Sequence, residues 1–438
     1  RRDIIMKNIC IVGMGYVGLT LAMHAARNGY NVYGIEILDS TYAKICSGKT
    51  HFHEPGLEEL LSHSLGKSFF ISKEIPDTVA FDCFVVTVGT PLASINPKTP
   101  NMSVLDNSIK SLAPYITSES LVILRSTIPV GSSRLVERQL CEISGLKTIN
   151  ISFSPERTAE GSALTELRAL PQVISGNTDN ALLKAKAFFE PLVDEIVSAS
   201  SLEEAELTKL FNNTYRDATF AIANTFNQIA QSFKVNGMAA INNANYNYPR
   251  SSIPKPGFVA GPCLEKDAYI LSSKMMDGDL KEFILGVRKA NENLEKLVAK
   301  KICELLKINS RARCLVTGLA FKGVPQTNDL RGSSSIKILD SLQSFHSQIL
   351  IHDFMNSKKQ LQETCGFESL NSHDIFESDL ETFDFIVVLN NHPMYKSTKM
   401  QSFIQKQCRG GASIIDAWDV LELKDQFTLH NLFIEGEL

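Results

Sequence analysis

No apolar stretch in the 438 residues approaches the roughly 18 consecutive residues that a membrane span requires. Nor does the N-terminus carry an apolar core followed by a small-residue cleavage site, so no secretory signal is read there. Runs of five or more like charges are missing, and no basic stripe is interleaved with aromatics, although the chain has 44 Lys and Arg against 48 Asp and Glu. A net charge of −4 spread along the whole length makes nucleic acid and membrane surfaces poor partners. The nine cysteines, Cys10, Cys46, Cys83, Cys141, Cys263, Cys303, Cys314, Cys365 and Cys408, include no CxxC pair and lack the density of a secreted disulfide scaffold. They read as reduced thiols of a cytoplasmic protein. Metal-ligand spacing is missing too: His51 and His53 lie beside Glu54, but there is no second cluster and no HExxH, so they read as loop histidines and no metal is expected. Ser47-Gly48-Lys49-Thr50 ends like a P-loop and fails as one, because the leading glycine position holds Ala43 and the segment follows a helical stretch where a P-loop follows a strand. What remains is ordinary globular composition, 44% hydrophobic and 21% charged, with length for two or three domains. Arg1 to Ile5 precede Met6 and are set aside from fold reasoning.

Apolar runs of strand length recur at Asn8 to Val12, Asn31 to Ile35, Cys83 to Val88, Leu121 to Leu124 and Ile149 to Phe153, with segments of helical period between them. That alternation predicts a doubly wound parallel sheet. Gln172 to Ser175 and Glu195 to Ser198 flank an amphipathic piece and are expected to extend the same sheet, which closes a first domain over 1–199. From Leu202 to Val235 no proline interrupts a helical pattern, and Phe283 to Lys307 reads as a second long helix after a loop rich in Pro, Gly and Asn between Asn242 and Gly261. Strand-helix alternation then returns at Arg313 to Thr317, Gln348 to His352, Phe385 to Leu389 and Ala412 to Ile415. The expected fold class is α/β: two Rossmann-like doubly wound parallel-sheet domains, 1–199 and 309–438, joined by a central helical part, 200–308, built on a long helix.

The first strand runs into Gly13-Met14-Gly15-Tyr16-Val17-Gly18 and then into a helical pattern. The first glycine permits a tight turn, the second lets backbone approach a pyrophosphate, and the third lets the helix pack closely on the strand. The phosphates then sit on a helix N-terminus. Glu36, at the end of the next strand, can accept hydrogen bonds from a ribose 2′-OH and repels a 2′-phosphate, so the expected cofactor is NAD rather than NADP.

Further stations follow in order: Val85-Val86-Thr87-Val88-Gly89-Thr90-Pro91, Ser126-Thr127-Ile128-Pro129-Val130-Gly131, Ser154-Pro155-Glu156-Arg157 with Glu160-Gly161, and Glu206 to Asn213. Next come Pro256-Gly257-Phe258-Val259-Ala260-Gly261-Pro262-Cys263-Leu264-Glu265-Lys266-Asp267, Gly318-Leu319-Ala320-Phe321-Lys322, and Asp329-Leu330-Arg331. Across nearly its whole length the chain resembles the UDP-glucose/GDP-mannose dehydrogenases, and Ser-Pro-Glu-Arg with Leu170-Pro171-Gln172 is similar to the branch that handles UDP-N-acetylhexosamines. The resemblance implies an NAD-dependent homodimer or higher homo-oligomer that oxidises the C6 hydroxymethyl of a UDP-sugar to a uronic acid, a polysaccharide precursor. It departs from the family's usual forms at Ala260-Gly261-Pro262-Cys263, at Thr327-Asn328-Asp329-Leu330-Arg331, at Glu36 where aspartate is commoner, and at Thr225 where many relatives carry a glutamate.

Removing two hydrides from one carbon requires the aldehyde to be held as a second hydride donor, which a thiolate achieves by adding to the carbonyl. Cys263 suits that task, with Lys266 and Asp267 within four residues; the other eight cysteines read as structural thiols. Lys209 and Asn213 are four apart on a predicted helix and project from one face. Spacing alone fits a solvated face; the resemblance implies that the pair stabilises the oxyanion, a role in which each donor contributes about 3 kcal/mol. Glu156 and Glu160 are also four apart. By resemblance both face the active site, Glu160 and Asp267 handle protons, and Thr127 orders a water, with base duties not apportioned between them. The cofactor is further expected to touch Thr90, Thr127, Glu160, Lys266 and Arg331. The sugar nucleotide is expected to touch Glu156, Arg157, Lys209, Asn213, Gly257, Phe321 and Lys322, the last meeting the diphosphate, and Arg250, which resembles an arginine reaching a partner subunit's sugar site. UDP-glucose or GDP-mannose is the alternative substrate. A 3-hydroxyacid or 6-phosphogluconate-type dehydrogenase shares the first domain but needs neither Cys263 nor a second α/β domain, and an inactive nucleotide-sugar binding protein does not need the catalytic side chains present here.

Overall fold

The computed structural model describes residues 6–94, 98–308, 311–372, 374–376, 380–421 and 428–431. In β1 (Asn8–Val12) alternate side chains go to opposite faces: Ile9 and Ile11 enter one apolar cluster, Cys10 and Val12 another. Because helices cover both faces, the strand is apolar and buried from Ile9 to Val12, as expected of a buried parallel strand. With β2 (Asn31–Ile35), β3 (Phe69–Ser72), β4 (Cys83–Val86), β5 (Leu121–Leu124) and β6 (Asn150–Phe153) it forms a six-stranded sheet in the order β3-β2-β1-β4-β5-β6, every neighbouring pair parallel. The order reverses between β1 and β4, the switch point beyond whose carboxyl ends such sheets bind ligands.

The runs expected to extend this sheet do not. β7 (Gln172–Ile174) and β8 (Ile196–Ser198) pair in parallel as a separate two-stranded sheet. The cause lies at the seam with β6, where a main-chain bond from the Asn177 N–H to Ile151 O at 2.9 Å is joined by side chains rather than continued as a ladder. Ser175 Oγ accepts from the Phe153 N–H at 3.2 Å and donates to Phe153 O at 2.9 Å, and Asn177 Oδ1 accepts from the Ile151 N–H at 2.9 Å.

The chain divides into two compact units, Arg1–Asn213 with Tyr269–Asp277, and Thr214–Ala268 with Gly278–Leu438. The second unit holds β9 (Cys314–Thr317), β10 (Ile349–His352), β11 (Glu368–Ser369), β12 (Phe383–Val388), β13 (Cys408–Asp416) and β14 (Thr428–Asn431) in the order β11-β10-β9-β12-β13-β14, again all parallel. The same winding is therefore built twice, and the α/β class with two doubly wound sheets and a long central helix is observed. The two long helices are Leu202–Ser232 and Gly278–Ile308, each of 31 residues. The first stops short of Val235, and Lys234 takes a left-handed φ of 58°. Leu294, Val298, Ile302 and Leu306, four apart along the second, enter one cluster with Cys314 and Val316. Helices Gly237–Asn245 and Leu264–Ser272 are additional to the expected elements. Among the described residues no helix is long and apolar enough to cross a membrane.

Candidate active site

The glycine turn after β1 is dictated by space. A Cβ on Gly18 would sit 1.8 Å from Gly13 O, so the helix Tyr16–Arg27 approaches the turn as only glycine permits. Gly13 has φ +92°, whereas a Cβ on Gly15 would meet nothing within 4 Å, which leaves that side open to a ligand. No side chain caps the helix N-terminus at Gly15 and its first turn carries no acidic residue, so its amides are available to a pyrophosphate. Glu36 is buried, its carboxylate accepting from the Met14 N–H at 3.1 Å and the Leu38 N–H at 2.8 Å. A carboxylate so fixed at the end of β2 fits a ribose diol, and the residues present fit a dinucleotide. Gly18→Ala is expected to weaken NAD binding at least about tenfold, since the helix start must retreat by more than a bond's reach; an unchanged Kd in a fluorescence titration contradicts this packing.

In the same unit, the Thr90 hydroxyl donates to Thr127 O at 2.5 Å, joining the segments after β4 and β5. Glu156 lies on the loop after β6, not on a helix, so its spacing from Glu160 carries no helical meaning. Its Oε2 takes Arg125 Nη2 at 2.5 Å and Nε at 3.2 Å, and its Oε1 takes the N–H groups of Arg157 at 2.7 Å and Thr158 at 2.8 Å. Arg125 is buried and also donates to Ser154 O and Gln172 Oε1. Burial alone would push the Glu156 carboxyl up; Arg125, the Thr158 N–H and Lys209 outweigh it and hold the group below its ordinary value. Lys209 is thereby within electrostatic reach of Glu156, and both Lys209 and Asn213 are buried. Arg157 donates to Pro171 O. Arg125 goes unmarked in the sequence, and Gln172 stands out there only within the Leu170-Pro171-Gln172 motif; a buried arginine paired with Glu156 is a signal only once the loop is folded.

In the second unit, Cys263 is exposed and immediately precedes the helix Leu264–Ser272, its carbonyl accepting from the Lys266 N–H at 3.2 Å and the Asp267 N–H at 3.1 Å. A side chain at this place meets the positive end of the helix dipole, where negative charge is favoured. Asp267 is buried one turn in, and Lys266 is half-buried. The loop before Cys263 hangs from a buried polar network. Asn224 holds both main-chain groups of Gly257, accepting from its N–H at 2.8 Å and donating to its O at 3.0 Å. Asn291 Oδ1 accepts from Asn224, and Asn291 Nδ2 donates to Asp217 Oδ1 at 2.8 Å. Arg288, fully buried, pairs with Asp217 at 2.7 Å and donates to Val259 O at 3.3 Å and Leu264 O at 3.2 Å, on either side of the cysteine. None of these four residues was singled out by sequence reasoning.

Gly257 and Gly261 are forced by aromatic neighbours: a Cβ would lie 2.5 Å from the Trp418 ring at the first and 2.7 Å from the Phe321 ring at the second. The Gly261 N–H donates to Gly332 O at 3.0 Å, which joins the cysteine loop to the segment carrying Phe321 and Arg331. Lys322 lies over the Phe321 ring at 5.3 Å, and Arg331 pairs with Asp329 at 2.6 Å. Arg250 stacks on Tyr248, two residues away, at 4.6 Å. Among the described residues no group of three or more His, Cys, Asp or Glu is gathered to hold a metal.

Three profiles of one family match in chain order: the UDP-glucose/GDP-mannose dehydrogenase family NAD binding domain over residues 7–193, its central domain over 203–293 and its UDP binding domain over 315–423. The UDP-N-acetyl-D-mannosamine dehydrogenase of Pyrococcus horikoshii is 32% identical over 90% of this chain and 91% of its own length. The protein of the same name from Campylobacter jejuni is 28% identical, covering 87% of this chain and 97% of its own. Among solved structures, UDP-D-ManNAc dehydrogenase from Pyrococcus horikoshii gives a TM-score of 0.83 at 30% identity, over 97% of this chain and 99% of that one. The UDP-N-acetyl-mannosamine dehydrogenase from Staphylococcus aureus shares the fold, with a TM-score of 0.82 at 24% identity over 98% of both chains.

Proposed function

Because the chain belongs to the UDP-glucose/GDP-mannose dehydrogenase family, an NAD-dependent oxidoreductase family, we propose that it oxidises the C6 hydroxymethyl of UDP-N-acetylmannosamine or UDP-N-acetylglucosamine to the carboxylate through a thioester on Cys263. The observation that carries this reading is the exposed Cys263 at the start of the helix Leu264–Ser272, on a loop fixed by Asn224 and Arg288. Relatives from several organisms named UDP-N-acetyl-D-mannosamine dehydrogenase favour the mannosamine sugar, with UDP-glucose and GDP-mannose as the alternatives. The labour divides into NAD binding over 1–199, a central helical part with the cysteine loop over 200–308, and UDP-sugar binding over 309–438.

Bound NAD supplies the hydride acceptor for each oxidation. The hydroxyl proton leaves to a base as the first hydride departs, and the thiolate of Cys263 adds to the aldehyde carbon, whose oxygen takes a proton. Loss of the second hydride gives a thioester, which water cleaves with return of the thiolate. The balance is one alcohol, two NAD and one water giving one carboxylate, two NADH and three protons. Lys209 and Asn213 supply donors for the oxyanion. Glu156, saturated by Arg125 and two amides, serves by its charge, while Glu160 and Asp267 carry the proton duties, Thr127 orders the water, and Lys322 meets the diphosphate. Arg157, Gly257 and Phe321 line the sugar nucleotide, and Thr90, Lys266 and Arg331 the cofactor. On the helix Leu202–Ser232, Tyr215, Ile222, Phe226 and Ile229 are between 45% and 71% exposed, and Phe233 just beyond its end is 76% exposed, an apolar face that supports a homodimer in which Arg250 serves a neighbouring copy.

The reading is tested by NADH production against a panel of nucleotide sugars, with two NADH per uronic acid expected; one NADH per sugar overturns it. In the same assay NAD is expected to exceed NADP in kcat/KM by about a hundredfold or more, because a 2′-phosphate set against Glu36 juxtaposes like charges at a cost of several kcal/mol. Equal efficiency with NADP contradicts the role of Glu36.

A further inference from the structure

Two groups in the first unit are left over by the function above. Nucleotide binding at a glycine turn uses backbone N–H groups, so nothing in it requires a hydroxyl on Tyr16. Glu54 is a carboxylate only 6% exposed, on the segment before the helix Leu57–Ser64, and a buried carboxylate is costly unless it is well supplied with donors. The two groups meet each other and one particular turn. The Tyr16 hydroxyl donates to Glu54 Oε2 at 2.5 Å. The Gly161 N–H lies 2.8 Å from the same Glu54 oxygen and 3.1 Å from the Tyr16 oxygen, and the Leu164 N–H reaches Glu54 Oε1 at 3.4 Å. Ala159 O lies 3.2 Å from the Tyr16 hydroxyl, and the Ala159 N–H donates to Glu166 Oε2 at 2.7 Å.

Glu160 is the residue between those two peptides, and Gly161 takes φ +88° to turn the chain beyond it. We propose that Tyr16 and Glu54 form a clamp that positions Glu160, so that the tyrosine of the glycine turn is a positioning residue for water activation as well as the start of the nucleotide-binding helix. Burial, and then the adjacent Glu54 and Glu160 carboxylates, push the Tyr16 hydroxyl well above its ordinary value, so it stays a proton donor throughout the working pH range. The Tyr16 ring packs on Phe52 with centroids 4.9 Å apart, a contact that phenylalanine keeps, so removing the hydroxyl tests the clamp without removing the packing.

The inference rests on the assignment of Glu160 to water activation. The experiment compares wild type, Tyr16→Phe, Glu54→Gln, Glu160→Gln and the Tyr16→Phe/Glu160→Gln double variant in the holoenzyme assay. Tyr16→Phe is expected to lower kcat roughly ten- to hundredfold, the usual consequence of a displaced catalytic group, while the Kd for NAD changes by less than about threefold. Glu54→Gln is expected to follow it in kind. On the Glu160→Gln background the loss of the Tyr16 hydroxyl should cost less than about twofold more, because the group it positions is already gone. Quenched turnover of Tyr16→Phe should show more sugar adduct on Cys263 than wild type. A raised Kd for NAD with unchanged kcat, or fully additive losses where Glu160→Gln is itself slow, overturns the clamp and leaves the proposed function standing. Full activity of Glu160→Gln overturns the assignment of Glu160 and the clamp with it.

Discussion

Cys263→Ala is expected to cut uronic acid formation by roughly three orders of magnitude or more while leaving the protein folded. The fold should survive because the exposed side chain contributes no core packing, and because the contacts that start the helix Leu264–Ser272 use the Cys263 carbonyl, which alanine keeps. On the proposed mechanism no thiohemiacetal forms without the sulfur, so the second hydride has no covalent donor even if the proposed oxyanion donors Lys209 and Asn213 are intact. Cys263→Ser is expected to retain a slow second oxidation, since a hydroxyl adds to an aldehyde but yields an ester that hydrolyses less readily. Mass spectrometry of quenched wild-type turnover should find the sugar on the peptide containing Cys263. Near-normal uronate from Cys263→Ala would remove the thioester and favour oxidation of the hydrated aldehyde.

Arg288→Met is expected to destabilise the second unit by about 3–5 kcal/mol, the cost of stranding one member of a buried ion pair. Asp217 would keep its buried carboxylate beside Asn291 and within electrostatic reach of Glu292 with the 2.7 Å partner gone. Burial, the largest influence on Asp217, already pushes its carboxyl above its ordinary value despite Arg288. Replacing both members, Arg288→Met with Asp217→Leu, should recover much of the loss in overall stability, yet still slow the second oxidation, because Val259 O and Leu264 O lose the donor that spans the cysteine loop. Urea unfolding and the adduct assay separate the two effects. A cost below about 1 kcal/mol for Arg288→Met would mean that water reaches Asp217 and that the loop is held by other means.

What the sequence discloses depends on how far apart the partners are. β1, the glycine turn and the helix after it are contiguous, and each residue's reason for being there lies within a few positions, so Asn8 to Arg27 reads directly. The edge strands β3 and β11 are short, and β11 has only two residues, too few for a period to register. The separation of β7 from β6 turns on the Ser175 and Asn177 side chains taking ladder positions on β6, which no hydropathy pattern encodes. The supports of the site are the least legible: Arg288 meets Asp217 across 71 positions, Asn224 meets Asn291 across 67, and Arg125 meets Glu156 across 31. Each reads in the chain as one more polar residue, and only burial makes it a support. Cys263, Lys209 and Lys322 were marked through resemblance to a family, because spacing alone fits a solvated helix or loop equally well.

The distribution of thiols has a consequence for chemical probing. Burial pushes seven of the nine cysteines above their ordinary value, Cys10, Cys314 and Cys408 to about 12 and Cys365 to about 11, with Cys83, Cys141 and Cys303 moved the same way. These sulfurs stay protonated at neutral pH and react slowly. The remaining two, Cys46 and Cys263, are the ones exposed to solvent. A soft electrophile is therefore expected to favour two addresses over the half-buried Cys141, Cys303 and Cys408, and removing Cys46, on the helix Asp39–Cys46 far along the sequence from the proposed nucleophile, leaves Cys263 the favoured one. In that background the first equivalent of label to react is expected on Cys263, and an acrylamide or chloroacetamide warhead carried on a UDP scaffold is expected to find that sulfur first.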